Sequence, residues 1–141
     1  MAAQATQNWT EEQVRLAQGE VRLMKGGSGD PLVVLGRDNG SPGWQEFHER
    51  LATKFTVHVP THPGFGRFND EEWTWMGTVR DLAIAHGHLL DALGLSSVTV
   101  VGLGFGGWLA AELATMRPQA FERMVLVSPM GIQPKDDFVF D

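Results

Sequence analysis

The apolar positions of this chain change period several times, and each change marks an element. Val14 and Leu16, then Val21 and Leu23, alternate with polar partners around Gln18 and Gly19, which is the signature of a β-hairpin. Residues 26–31, GGSGDP, read as a turn. Leu32, Val33, Val34 and Leu35 then run without interruption, as suits a parallel strand buried on both faces. Ser41 and Pro42 read as the cap and first residue of a helix reaching about Thr53, with Trp44, Phe47, His48 and Leu51 on one face. Phe55, Val57 and Val59 alternate as a strand, and residues 62–66, HPGFG, follow as a loop. Residues 69–75, with Asp70, Glu71 and Glu72 set between aromatics, read as surface loop.

The second half alternates more regularly. Thr78 caps a helix with Asp81 in its first turn, and Val79, Leu82, Ala83, His86, Leu89, Leu90 and Leu93 keep helical spacing up to Gly94. Val98, Val100 and Val101 form a β-branched strand. Leu103 and residues 108–114, WLAAELA, read as a helix that ends before Pro118. Residues 124–127, MVLV, make a last strand. The order β-β-β-α-β-α-β-α-β predicts an α/β fold with a mostly parallel sheet and flanking helices. Residues 1–12 read as a flexible tail, 13–134 as the folded unit and 135–141 as a second tail.

Between the valine strand and its helix stand four glycines in six residues, Gly102-Leu103-Gly104-Phe105-Gly106-Gly107, so the chain turns tightly there. Gly102, Gly104 and Gly107 match the dinucleotide fingerprint Gly-x-Gly-x-x-Gly, which implies NAD or FAD. That fingerprint wants an acid about 20 residues on. Val127, Ser128 and Pro129 occupy that region, and no cofactor is expected. Gly102, Gly104 and Gly106 also fill the three named places of the nucleophile elbow Gly-x-Ser-x-Gly, with Gly104 where the serine stands.

Four segments in sequence settle the resemblance. VVGLGFGGWLAAELA resembles the elbow of the α/β-hydrolase fold family. PLVVLGRDNGSPGW resembles the strand and oxyanion loop usually written PLVVLHGxxG, with Gly36-Arg37 in place of His-Gly. FTVHVPTHPGFGR and ERMVLVSPMGIQP resemble the strands on either side of the central unit. The resemblance implies spatial strand order 1-2-4-3-5-6 and the N-terminal half of a domain about twice this length, with 135–141 where the lid begins. It implies kinship to ester and C–C bond hydrolases. It also implies that the acid and histidine of the triad follow later strands, beyond the end of this chain. The backbone N–H groups of Asp38 and Phe105 are then the oxyanion donors, and Arg37, Phe65 and Ser128 face the pocket.

Composition narrows the chemistry. The net charge of −6 and scattered lysines and arginines speak against a nucleic-acid partner. The absence of cysteine removes disulfides, thiol nucleophiles and thiolate metal sites. No leader pattern precedes the domain and no apolar run reaches membrane-span length, so a cytoplasmic protein without a membrane partner is expected.

Five histidines remain. His86 reads as a core residue, His58 as structural in its strand, and His48 and His88 as surface or boundary residues. His62, in the HPGFG loop, is the one weak candidate for a general base. No histidine pair has metal-site spacing. Trp44, Phe65, Trp73, Trp75, Phe105 and Trp108 are candidate pocket aromatics.

With glycine at position 104, triad catalysis by the isolated chain is not expected. The alternatives are binding of a small apolar ester-like ligand without turnover, a dimeric scaffold and, least favoured, a dinucleotide module. The apolar strand 124–127 at a sheet edge, or an uncovered sheet face, predicts a homo-oligomer.

Overall fold

The computed structural model describes residues 7–37, 43–65 and 70–132. Six strands form one sheet in the order β1-β2-β4-β3-β5-β6, as the resemblance implied. They are β1 (Trp9–Leu16), β2 (Gly19–Gly26), β3 (Asp30–Leu35), β4 (Phe55–Pro60), β5 (Val98–Leu103) and β6 (Phe121–Val127). Three helices connect them: α1 (Glu46–Ala52), α2 (Val79–Ala92) and α3 (Phe105–Met116). The hairpin β1–β2 joins β4 antiparallel, while β4, β3, β5 and β6 run parallel.

The continuous run in β3 is buried because each face of the sheet takes alternate residues. Val33 and Leu35 pack with Leu82, Leu90, Val100, Leu109 and Leu113 beneath α2 and α3. Leu32 and Val34 pack with Met24, Val57, Val59 and Val101 on the side of α1. Thr78 caps α2 as expected, accepting the backbone N–H of Asp81 at 3.2 Å while Asp81 accepts the Thr78 N–H at 2.9 Å.

Several boundaries differ from the sequence reading. β1 begins at Trp9, inside the stretch assigned to the tail. Its residues Thr10, Glu11, Glu12 and Gln13 are exposed, so no apolar alternation marks it; pairing with β2 from Trp9–Gly26 to Leu16–Gly19 holds it. Trp9 also stacks on Trp44, with ring centroids 5.7 Å apart. The helix expected from Ser41 begins at Glu46, and Ser41 and Pro42 lie outside the described residues. Leu103 ends β5 rather than opening the helix.

His48 is buried, not at the surface: its Nδ1 accepts the backbone N–H of Gln45 at 3.0 Å and its ring lies 5.3 Å from that of Trp44. Trp73, assigned to a surface loop, ends a short 3-10 turn and is buried under the β1–β2 hairpin, where its Nε1–H donates to the Glu20 carbonyl. Among the described residues, no helix is long and apolar enough to cross a membrane.

Candidate functional site

The glycine turn sits where β5 passes into α3, at the carboxyl end of the parallel strands, the edge at which open α/β sheets place ligands. Gly104 has φ 55° and ψ −114°. That sharp conformation is the strand-to-helix elbow that lifts a side chain off the end of a sheet. Backbone bonds fix it from both sides. The Gly104 N–H donates to the Val127 carbonyl at 2.9 Å, and the Gly104 carbonyl accepts the Met130 N–H at 3.0 Å.

The four glycines serve different ends. A Cβ on Gly102 would stand 2.6 Å from the Gly107 Cα, and one on Gly106 would stand 2.0 Å from the Leu35 carbonyl oxygen. A Cβ on Gly107 would meet the Pro129 ring at 2.7 Å. These three allow backbone segments to touch. At Gly104, among the described residues and leaving aside its chain neighbours, the one atom within 4 Å of such a Cβ is Arg37 Cγ, at 3.5 Å. Among the described residues nothing crowds a side chain at 104, while its positive φ resists one.

Phe105, which follows the elbow, is at the centre of an aromatic cluster. Its ring lies 5.6 Å from both His62 and Phe65 and 6.2 Å from Trp108. Phe65 is exposed and His62 is buried, so the cluster has one wet and one dry side. The Phe105 N–H opens the first turn of α3, where helix N–H groups have no intrahelical acceptor. Asp38, the other expected donor, lies outside the described residues. Arg37 is exposed beside Gly104. Ser128 is exposed with φ 44° and directly follows Val127, whose carbonyl holds Gly104. The structure thus gathers Gly104, Phe105, Arg37, His62 and Phe65 at one end of the sheet, with Ser128 in the adjoining wall. Trp44 pairs with Trp9 instead, and Trp73 with Trp75, so these tryptophans do not join the cluster.

His62 is not poised in open solvent. Its Nε2 lies 2.8 Å from the Gly36 carbonyl oxygen and its Nδ1 lies 3.0 Å from His86 Nε2. To act as a base it would have to give up one of these partners. Burial holds the His86 pKa well below the usual histidine value, and the neighbouring His62 lowers it further. Burial also lowers those of His48 and His58. The sequence reading placed His86 in the core but missed its bond to His62. Helical spacing turned His86 inward; only the packing of α2 against the end of β4 could reveal the partner. Among the described residues, no group of three His, Cys, Asp or Glu is placed to hold a metal ion.

A family model described as "Alpha/beta hydrolase family" matches residues 27–140. An uncharacterized protein of Mycobacterium tuberculosis is 32% identical over 130 residues, covering 91% of this chain and 38% of its own length. The 2-hydroxy-6-oxo-6-phenylhexa-2,4-dienoate hydrolase of Burkholderia cepacia is 27% identical over 124 residues, covering 83% of this chain and 42% of that enzyme. Among solved structures, a bacterial membrane phospholipase A superposes with a TM-score of 0.80 at 22% identity, over 92% of this chain and 43% of that one, which is a likeness of fold. The chain thus spans about two fifths of the length of each of these three proteins.

Proposed function

The chain belongs to the alpha/beta hydrolase family, and from that membership we propose that its elbow binds a small apolar ester-like ligand without forming a covalent acyl intermediate. The observation that carries this reading is Gly104: the elbow conformation is kept, with room for a side chain, yet the residue offers no atom to attack a carbonyl carbon. A ligand carbonyl at this position meets the Phe105 N–H and the positive end of the α3 dipole, both of which favour a partial negative charge. Phe65, Phe105 and Trp108 supply apolar contact. A groove lined by Trp108, Glu112, Thr115, Leu126, Met130 and Ile132 runs alongside α3.

A second reading is hydrolysis of an ester or of a C–C bond, favoured by the likeness to the Burkholderia cepacia hydrolase. It needs a nucleophile other than residue 104, such as the Ser128 hydroxyl or a water activated by His62 once that ring gives up one of its partners.

Hydrolysis of short-chain p-nitrophenyl esters by highly purified protein, against free imidazole, separates the two. Background rates, no labelling by a serine-directed fluorophosphonate and saturable stabilisation by ester analogues are expected. Turnover well above imidazole would overturn the binding reading and direct attention to His62 and Ser128.

A further inference from the structure

The chain leaving β6 is strapped to the elbow over residues 128–131. The Gly104 N–H donates to the Val127 carbonyl at 2.9 Å, and the Met130 N–H donates back to the Gly104 carbonyl at 3.0 Å. Between these two bonds Ser128 takes a φ of 44°, and Pro129 lies so near Gly107 that a Cβ there would stand 2.7 Å from the proline ring. The strap ends on Gly131, whose φ is 82°. A Cβ on Gly131 would stand 2.9 Å from Cγ and Cδ2 of Trp108 and 3.1 Å from its Cδ1. Three ring atoms at nearly equal distance place that Cβ over the face of the ring. Cγ is the root of the ring, which a turn about χ2 does not move.

Trp108 is where the strap reaches the ligand cluster. Its ring stands edge-on to Phe105, with centroids 6.2 Å apart and planes at 81°. Phe105 in turn stands 5.6 Å from both His62 and Phe65. A methyl group on Gly131 therefore has to move something that touches this cluster. Either Trp108 changes its χ1 and swings its ring relative to Phe105, or the strap backs away and stretches the Met130–Gly104 bond.

We propose that Gly131 is a positioning residue for the elbow site: its missing side chain lets the strap seat against the Trp108 ring, and the seated ring holds Phe105 in the orientation that a ligand meets. The role deepens the ligand reading above, on which only its effect on affinity rests. Gly94 separates this role from backbone strain. It follows α2 with a φ of 68°, and among the described residues, leaving aside its chain neighbours, nothing stands within 4 Å of a Cβ on it. Substitution strains the backbone at both glycines, and only Gly131 adds a collision.

The test compares the native whole chain with Gly131→Ala, Gly94→Ala, Trp108→Leu and the double variant Gly131→Ala/Trp108→Leu. The readouts are nuclear magnetic resonance of the Phe105 amide and ring, and titration with ethyl butyrate. Gly131→Ala should move the Phe105 signals and weaken ethyl butyrate binding about tenfold, the affinity equivalent of a modest overpacking cost. Gly94→Ala should lower the melting temperature, yet leave the Phe105 signals and the affinity native. Adding Gly131→Ala to Trp108→Leu should move Phe105 no further, because the ring that transmits the contact is gone. Unchanged Phe105 signals or native affinity in Gly131→Ala would overturn the role. So would equal movement in Gly94→Ala, or an undiminished effect in the Trp108→Leu background. A native chain that ignores ethyl butyrate would overturn the ligand reading instead, and the Phe105 signals then decide on Gly131. If Gly131→Ala does not fold, Trp108→Leu should restore folding to it, and a double variant that stays unfolded would overturn the role.

Discussion

Gly106 lies so close to Leu35 that a Cβ built on it would stand 2.0 Å from the Leu35 carbonyl oxygen. The first turn of α3 is thus pressed against the end of β3 with no room for any side chain. Gly106→Ala forces backbone against backbone and should cost about 3 kcal/mol or more, near the upper end of overpacking effects. Chemical denaturation should show a large loss in midpoint or an insoluble product. A loss below about 1 kcal/mol would mean that the two segments are not in contact.

Gly104→Ser behaves differently. Among the described residues the nearest atom to its new Cβ is Arg37 Cγ at 3.5 Å, so the cost expected is that of the positive φ, on the order of 1–3 kcal/mol. The variant should fold with native circular dichroism and a melting temperature lower by several degrees. Collapse comparable to Gly106→Ala would contradict the open space at this position.

Acid should weaken the fold before the carboxylates titrate. His48, His58 and His86 all have folded-state pKa values below the ordinary one because burial disfavours their charged forms. Unfolded, the same rings bind protons at about pH 6.5. The unfolded chain therefore holds more protons below that pH, so stability is fullest above it and falls as pH drops towards the depressed folded values. Urea midpoints should be level between pH 8 and 7 and decline from pH 6.5 to 5. A constant midpoint down to pH 5 would show that these rings titrate alike in both states.

Self-association is proposed through β6. Val125, Leu126 and Val127 are 49%, 36% and 42% exposed, although parallel strands are ordinarily covered on both faces. Such an edge invites pairing with another copy. Light scattering should report a species larger than the 141-residue monomer, and Val125→Lys should shift it towards monomer and reduce binding of an exposed-surface dye. A monodisperse, dye-silent native monomer would rule this out.

Much of this was legible in the sequence wherever burial leaves a period. The β3 run, the helical spacing from Val79 to Leu93 and the β5 valines each predicted their element, because each packs apolar side chains on one core. The four glycines also marked the elbow, since the close backbone approach at Gly102, Gly106 and Gly107 leaves no room for a side chain. The polar start of β1, from Trp9 to Gln13, and the start of α1 escaped notice. The first is held by strand pairing and the stacking of Trp9 on Trp44. The second is set by Gln45 and His48 rather than by a serine cap.

The chain's residues alone determine that position 104 has no side chain, that a strand-turn-helix surrounds it and that the sheet is α/β. These follow from composition and local periodicity. Tertiary structure decided which glycines are sterically required, because Leu35, Pro129 and Arg37 reach the turn from far along the chain. It also decided the fate of His62. Its distance from His86 and Gly36 depends on α2, β3 and the end of β4 meeting in one layer, and no spacing within a single segment encodes such a meeting.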